Sequence, residues 1–239
     1  MLNANSLPEQ VHREYQEDMV KAEYWFKKAH HGEKAYYKWK IQMAQKLGRD
    51  LFRREIYSDP VEYLSKNGNH WLSYEHVSKD GEGGCFTIPY SIMYYETVAS
   101  VGAYVEVGYD DDGKRRTGYI HFTPHFFQRF AERLEIPNTR KELMLRFMRI
   151  VHAYLMLEKT PRPGYKDTEF ALRYPGSYAF GSYRDFKDFR LVTVRTFYTE
   201  ASLPPSKKEW LSEYAKLHDM SIKDIQIDVL NRNSKLIEV

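Results

Sequence analysis

The stretch around Thr123 constrains this chain more than any other. Up to Phe122 the sequence reads as a strand, with Val101–Tyr109 alternating well and RRTGYIHF returning after the turn Asp110-Asp111-Asp112-Gly113. Immediately afterwards PHFFQRFAERLE reads as a helix. Thr123 is a favoured N-cap, and Pro124 stands at the first helical position, where its missing N–H costs nothing. A hairpin that passes directly into a capped amphipathic helix calls for a sheet with a helix packed on it.

The rest of the chain fits that frame. Leu7 to about Lys46 is rich in Glu, Lys, Ala, Gln and Met and reads as helix, with Gly32 as a break between two helices. Breaks at Asp59-Pro60 and at Lys66–Asn69 precede runs rich in Val, Tyr, Phe and Thr. Strands are expected at His70–Val77, Cys85–Ile88, Val101–Tyr109 and Thr117–Phe122. After the Thr123 helix, a second helix is expected over Thr139–Leu157, with Leu143, Phe147, Ile150, Val151, Tyr154 and Leu155 on its apolar stripe. Glu169–Tyr174, Ser177–Tyr183 and Phe189–Tyr198 then predict an antiparallel meander. Trp210–Leu217 reads as helix, and 221–231 as one more short helix. The fold class is therefore α+β: an antiparallel β-sheet packed against two central helices, with helical N- and C-terminal extensions. The expected division is a helical region over 1–66, a core domain over 67–203 and a helical tail over 204–239.

Composition narrows the function classes. The formal charge is +3, with a pI near 8.7, which permits an anionic partner without demanding one. Cys85 is the only cysteine, so no intramolecular disulfide and no multi-thiolate metal site is available. The first residues lack an apolar signal region and no stretch approaches a membrane span, so a cytoplasmic protein with no membrane partner is expected. There is no HExxH, Walker, GxGxxG or GxSxG pattern, and no cofactor or metal is expected. Consecutive carboxylates at Asp110–Asp112 point apart on a tight turn and make a poor metal site.

The Thr123 helix carries the most chemistry. At 100° per residue, His125, Arg129 and Arg133 follow i, i+4, i+8 spacing and form one ridge, with Glu132 beside it. Phe126, Phe127, Phe130 and Leu134 cluster on the other side, which should bury. His125 lies in the first helical turn, where the macrodipole favours neutral imidazole, a form suited to general base work. Two arginines add planar anion clamps. The ordinary alternative is a solvated polar face. His121, on the preceding strand, would meet His125 from the side if its face turned inward.

The order strand, H-x3-R-x2-E-R helix, second helix and meander resembles the metal-independent ribonuclease toxins of the barnase/EndoU/colicin/RelE-like superfold, especially BrnT-like proteins. The matching residues are His125, Arg129, Glu132 and Arg133 in HFFQRFAER and Arg195 and Thr196 in TVRTFYT, within roughly Tyr119 to Thr199. The resemblance implies His125 as acid/base, Arg129 and Arg133 as phosphate holders, and Arg195 with Thr196 or Tyr198 completing a site for RNA cleavage. The upstream sheet region and the long N-terminal helices depart from the compact toxin pattern.

Two other function classes stand beside that one. A non-catalytic nucleic-acid-binding module is suggested by the aromatics Tyr24, Trp25, Tyr36, Tyr37 and Trp39 interleaved with lysines in the N-terminal helices. The ordinary alternative puts those aromatics in the core and the lysines in water. A protein–protein or structural component of a phage or mobile element is suggested by the 20 tyrosines, a residue favoured at interfaces. The expected partners are thus RNA or a protein, and the sequence fixes no oligomeric state.

Overall fold

The structure is a computed structural model that describes residues 1–29, 32–49, 55–79, 85–111, 114–137, 140, 143–144, 146–147, 155–158, 167–174 and 176–217. The chain is an α+β protein, and its strands pair mostly antiparallel. It divides into two compact units, Met1–Tyr95 and a second that begins at Glu96. That division falls inside the stretch 67–203, which the sequence pattern assigned to one core domain. The reason is local: the first strands pack on the N-terminal helices.

In the first unit, helices α1 (Pro8–Ala29) and α2 (Glu33–Arg49) flank strands β1 (Glu55–Tyr57), β2 (Val61–Leu64), β3 (His70–Lys79) and β4 (Cys85–Glu96). Strands β1 and β2 both pair antiparallel with β3, and β4 pairs antiparallel with β3 from His70↔Tyr94 to Lys79↔Cys85. The short strands β1 and β2 were not apparent in the sequence pattern.

Polar groups hold the helices to this sheet. Asp18 on α1 is buried and accepts from Asn67 Nδ2 at 3.1 Å, Asn69 Nδ2 at 2.8 Å and Trp71 Nε1 at 3.2 Å. Buried Glu75 on β3 accepts from the Tyr36 hydroxyl of α2 and lies 3.9 Å from Lys40 Nζ. Buried carboxylates are tolerable when donors or cations replace the lost water: Asp18 has three neutral donors, and Glu75 has a hydroxyl and a nearby ammonium. Aromatic rings continue the attachment: Trp71 stacks on Tyr63 (6.0 Å), and Tyr63 on Trp25 of α1 (6.4 Å).

In the second unit, β5 (Val101–Asp111), β6 (Lys114–Phe122), β7 (Leu155–Glu158), β8 (Thr168–Tyr174), β9 (Ser177–Asp185) and β10 (Phe189–Thr199) lie in the order β5-β6-β10-β9-β8-β7. The expected β5–β6 hairpin forms, but its ladder runs through Asp110 and Asp111, which the sequence pattern had put in the turn, and closes at Asp111↔Lys114. The meander β8-β9-β10 is antiparallel as expected. One pairing departs from the expected all-antiparallel sheet: β6 and β10 run parallel, from Phe189↔Thr117 to Val194↔Phe122. A parallel pair needs a long crossover, and the whole of α3, β7, β8 and β9 supplies it.

Helix α3 (Pro124–Arg133) starts as the sequence predicts, with Thr123 Oγ1 accepting from Phe126 N at 3.3 Å. It buries Phe126, Phe127, Phe130 and Ala131. Leu134, expected on that apolar face, is instead the C-cap and is exposed, because the helix ends before it can turn inward. Glu135 adopts φ 51°, the left-handed conformation that commonly ends a helix. The rings of Phe126 and Phe130 meet Phe197 of β10 edge-on at 5.9 and 5.2 Å, and Phe122 of β6 lies 5.0 Å from Phe126.

Most of the second expected helix, 139–157, lies outside the described residues; Arg140, Leu143, Met144, Arg146 and Phe147 are helical. Its end is corrected, since Leu155–Glu158 forms strand β7 and pairs with β8. The other face of the sheet is covered in part by α4 (Pro205–Leu217), whose Trp210, Leu211 and Ala215 pack with Leu203 on Leu157, Ala171, Tyr178 and Phe180. The short helix expected at 221–231 lies outside the described residues.

Candidate functional site

Side chains alternate across a strand, so each face of the second unit's sheet can be assigned. Phe122 and Phe197 touch α3. Their neighbours His121 and Tyr198 therefore point to the opposite face. Tyr198 does meet Phe180 there (5.9 Å), and Phe180 meets Trp210 of α4. His121 lies flat on Tyr104 of the neighbouring strand. It thus turns away from α3 and from His125, so the inward-facing arrangement that would let the two histidines meet is not formed.

The register lines up a row on that second face: Tyr104, His121, Thr193, Ser182 and Glu169, one from each of five adjacent strands. Beside it, β10 carries a bulge between Val194 and Thr196, which leaves Arg195 without a cross-strand partner. An extra residue on one strand re-aims its side chain. Arg195 is exposed, and its Nη1 donates to Ser182 Oγ at 2.8 Å. Its charge, after the larger effect of burial, pushes the His121 imidazole down to about 4. His121 is therefore neutral at physiological pH. Burial also pushes the Tyr104 phenol up.

Arg133 reaches the same face by a different route. Strand β6 ends opposite Val194, so the edge of β10 from Arg195 onward is free of that neighbour. At the last turn of α3, Arg133 passes this edge and lays its guanidinium over the Tyr198 ring, with Cζ 4.0 Å from the centroid. Its Nη1 is buried and has no hydrogen-bond partner among the described residues. Neither Arg133 nor Arg195 has a carboxylate partner among the described residues. Arg129 differs: its Nη1 is held by Glu132 at 2.7 Å.

The predicted residues therefore separate into two groups. Arg133, Arg195, Thr196, Tyr198 and His121 share the face away from α3. His125 and Arg129 stay on the outer side of the helix; His125 is exposed and has no partner among the described residues. The α3 N-cap is tied to the bulge, with Thr123 N donating to Val194 O at 3.1 Å and Thr123 Oγ1 lying 3.5 Å from Arg195 O. Sequence reasoning missed Ser182 and Tyr104. Ser182 follows Tyr178 and Phe180 at alternate positions of β9, and Tyr104 faces His121 once the hairpin register is set. Both signals were present, but only the β6–β10 pairing gives them meaning.

Chemically, this face offers two planar cations without carboxylate partners, the hydroxyls of Ser182, Thr193, Thr196 and Tyr198, and a neutral imidazole. Such a set suits an anion with several oxygens. No family model, no curated protein and no solved structure matches this chain. The class that the coordinates define is an α+β protein with a mostly antiparallel sheet. Among the described residues, no helix is long and apolar enough to cross a membrane.

Proposed function

We propose that the second unit binds the phosphate backbone of RNA on the sheet face that carries Arg133 and Arg195. The observation that supports this reading is the Arg133 guanidinium held over the Tyr198 ring, with no carboxylate partner among the described residues. Contact with the ring restricts the guanidinium in advance, so less entropy is lost when it meets a phosphate. Arg195 stands three residues before Tyr198 on β10, roughly 10 Å along the strand. Two cations at that spacing match a polyanion better than a single small anion.

Cleavage of that RNA without a metal is the second reading. It is supported by the exposed imidazole of His125 in the first turn of α3, which has no partner among the described residues. In that reaction His125 takes the 2′-hydroxyl proton, the 2′-oxygen attacks phosphorus, the 5′-oxygen leaves with a proton from water, and Arg129, on the same outer side of α3, stabilises the charged phosphorane. Neutral His121 is a weak base and shares the arginine face, so on this reading it positions Arg195 rather than moving the proton.

The test is fluorescence anisotropy with a labelled single-stranded RNA, together with a cleavage assay in EDTA. Arg133→Ala with Arg195→Ala should weaken binding at least tenfold and flatten the salt dependence, by about 0.7 in slope per lost phosphate contact on a single strand. Arg133→Lys should recover only part of the loss, because an ammonium keeps the charge without the planar stack. Unchanged affinity in the double variant would sink the binding reading. A 2′,3′-cyclic phosphate product formed in EDTA and lost in His125→Ala would establish cleavage, and intact RNA with wild-type protein would reject it.

A further inference from the structure

The two N-terminal helices expose aromatic rings that the core does not use. Tyr36 is buried and bonded to Glu75, as an ordinary amphipathic helix requires. Tyr24, Trp25 and Tyr37 behave otherwise: they are 61%, 39% and 50% exposed. All three lie near the end of α1 or the start of α2. Isolated exposed apolar residues are ordinary, but three large rings in so short a stretch of two successive helices are not.

Helix α1 places an ammonium against two of these rings. Lys28 Nζ lies 4.6 Å from the Trp25 ring, and Lys27 Nζ lies 5.9 Å from the Tyr37 ring of the other helix. Lys21, Lys34 and Lys38 are exposed in the same segments. The Trp25 ring is also held in place, because it ends a stack that runs through Tyr63 to the fully buried Trp71. A ring already fixed by packing loses little freedom when another ring stacks on it.

We infer that this end of the helical pair is a second nucleic-acid site, one that takes unpaired bases on Trp25 and Tyr37 and the adjoining phosphates on its lysines. Base–aromatic stacking needs exposed base faces, which a duplex keeps inside its own stack, so the site selects single strands. The ammonium over each ring moves to a phosphate as a base replaces it. Lysines interrupt the rings at nearly every turn, which leaves no continuous apolar face of the kind that settles into a lipid surface. The site belongs to the first unit and does not rest on the Arg133–Arg195 face.

The experiment uses the full chain and a labelled oligoadenylate, single-stranded or annealed to its complement, with anisotropy as the readout. Wild type should bind the single strand at least tenfold more tightly than the duplex. Trp25→Ala with Tyr37→Ala should lose tenfold or more for the single strand, read well below the melting transition of the variant because Trp25 also packs on Tyr63, and Tyr37→Ala alone should lose part of it. Arg133→Ala with Arg195→Ala should retain the single-strand preference, which separates this site from the other. Equal affinity of the Trp25/Tyr37 variant would overturn the inference. So would binding to anionic phosphatidylserine vesicles, or self-association abolished by the same two changes, without binding to the oligonucleotide.

Discussion

The imidazole of His121 lies parallel to the ring of Tyr104, with centroids 4.3 Å apart and planes 8° from coplanar. The register of the β5–β6 hairpin forces this pairing, because the two residues stand directly opposite each other. The contact buries a titratable ring to 6% exposure beside the Arg195 charge, and both effects favour the neutral form.

That burial makes stability depend on pH. The His121 pKa falls from 6.5 to about 4 on folding, so between those values the unfolded chain binds the extra proton. Stability from this group is complete above about 6.5 and is lost as the pH falls toward 4, amounting to roughly 3 kcal/mol over the whole window. Urea unfolding at pH 7 and pH 5 should show a smaller loss on acidification for His121→Gln than for wild type. Parallel losses would mean that His121 is not buried neutral.

Gly181 on β9 has no room for a side chain. A β-carbon there would collide with the Thr193 carbonyl oxygen and come within 3.0 Å of Phe170 Cε1. The partner strand bulges one residue further on, so neither backbone can retreat without losing ladder bonds. Gly181→Ala should destabilise the second unit by about 2 kcal/mol or more, the usual cost of overpacking. A thermal melt unchanged by the substitution would show that the strands are further apart at this point.

Asp18 is the polar anchor of α1. Replacing it by Ala removes the acceptor for Asn67, Asn69 and Trp71 at once and leaves the last two donors buried without it. The expected cost is about 2–4 kcal/mol, since hydrogen bonds to a charged group are lost and their donors stay desolvated. Glu17→Ala, one residue away but exposed, should change stability by less than about 0.5 kcal/mol. Denaturant curves of the two variants, compared by near-ultraviolet circular dichroism, test the contrast. Equal effects would contradict the buried network.

Much of the local structure was legible in the sequence. The Thr123–Pro124 helix start, the β5–β6 hairpin and the meander follow from capping, turn and alternation rules that act over a few residues. The short strands β1, β2 and β7 were not legible. At three or four residues they carry too little alternation, and pairing with β3 or β8 defines them. Leu155 fits the helical stripe equally well in isolation, and the ladder to β8 decided against the helix.

The candidate site shows the same boundary. The sequence by itself determined which residues share an element: His125, Arg129 and Arg133 on one helical ridge, and Arg195, Thr196 and Tyr198 on one strand. Only the tertiary structure decided which of them meet. The parallel β6–β10 pairing turns His121 away from α3, and the end of β6 at Phe122 opens the edge past which Arg133 reaches Tyr198. The bulge at Arg195 then brings that arginine onto the same face. Thr123 and Arg195 are 72 residues apart, and contacts at that separation depend on collective burial of the Phe122–Phe126–Phe197 core rather than on any local preference.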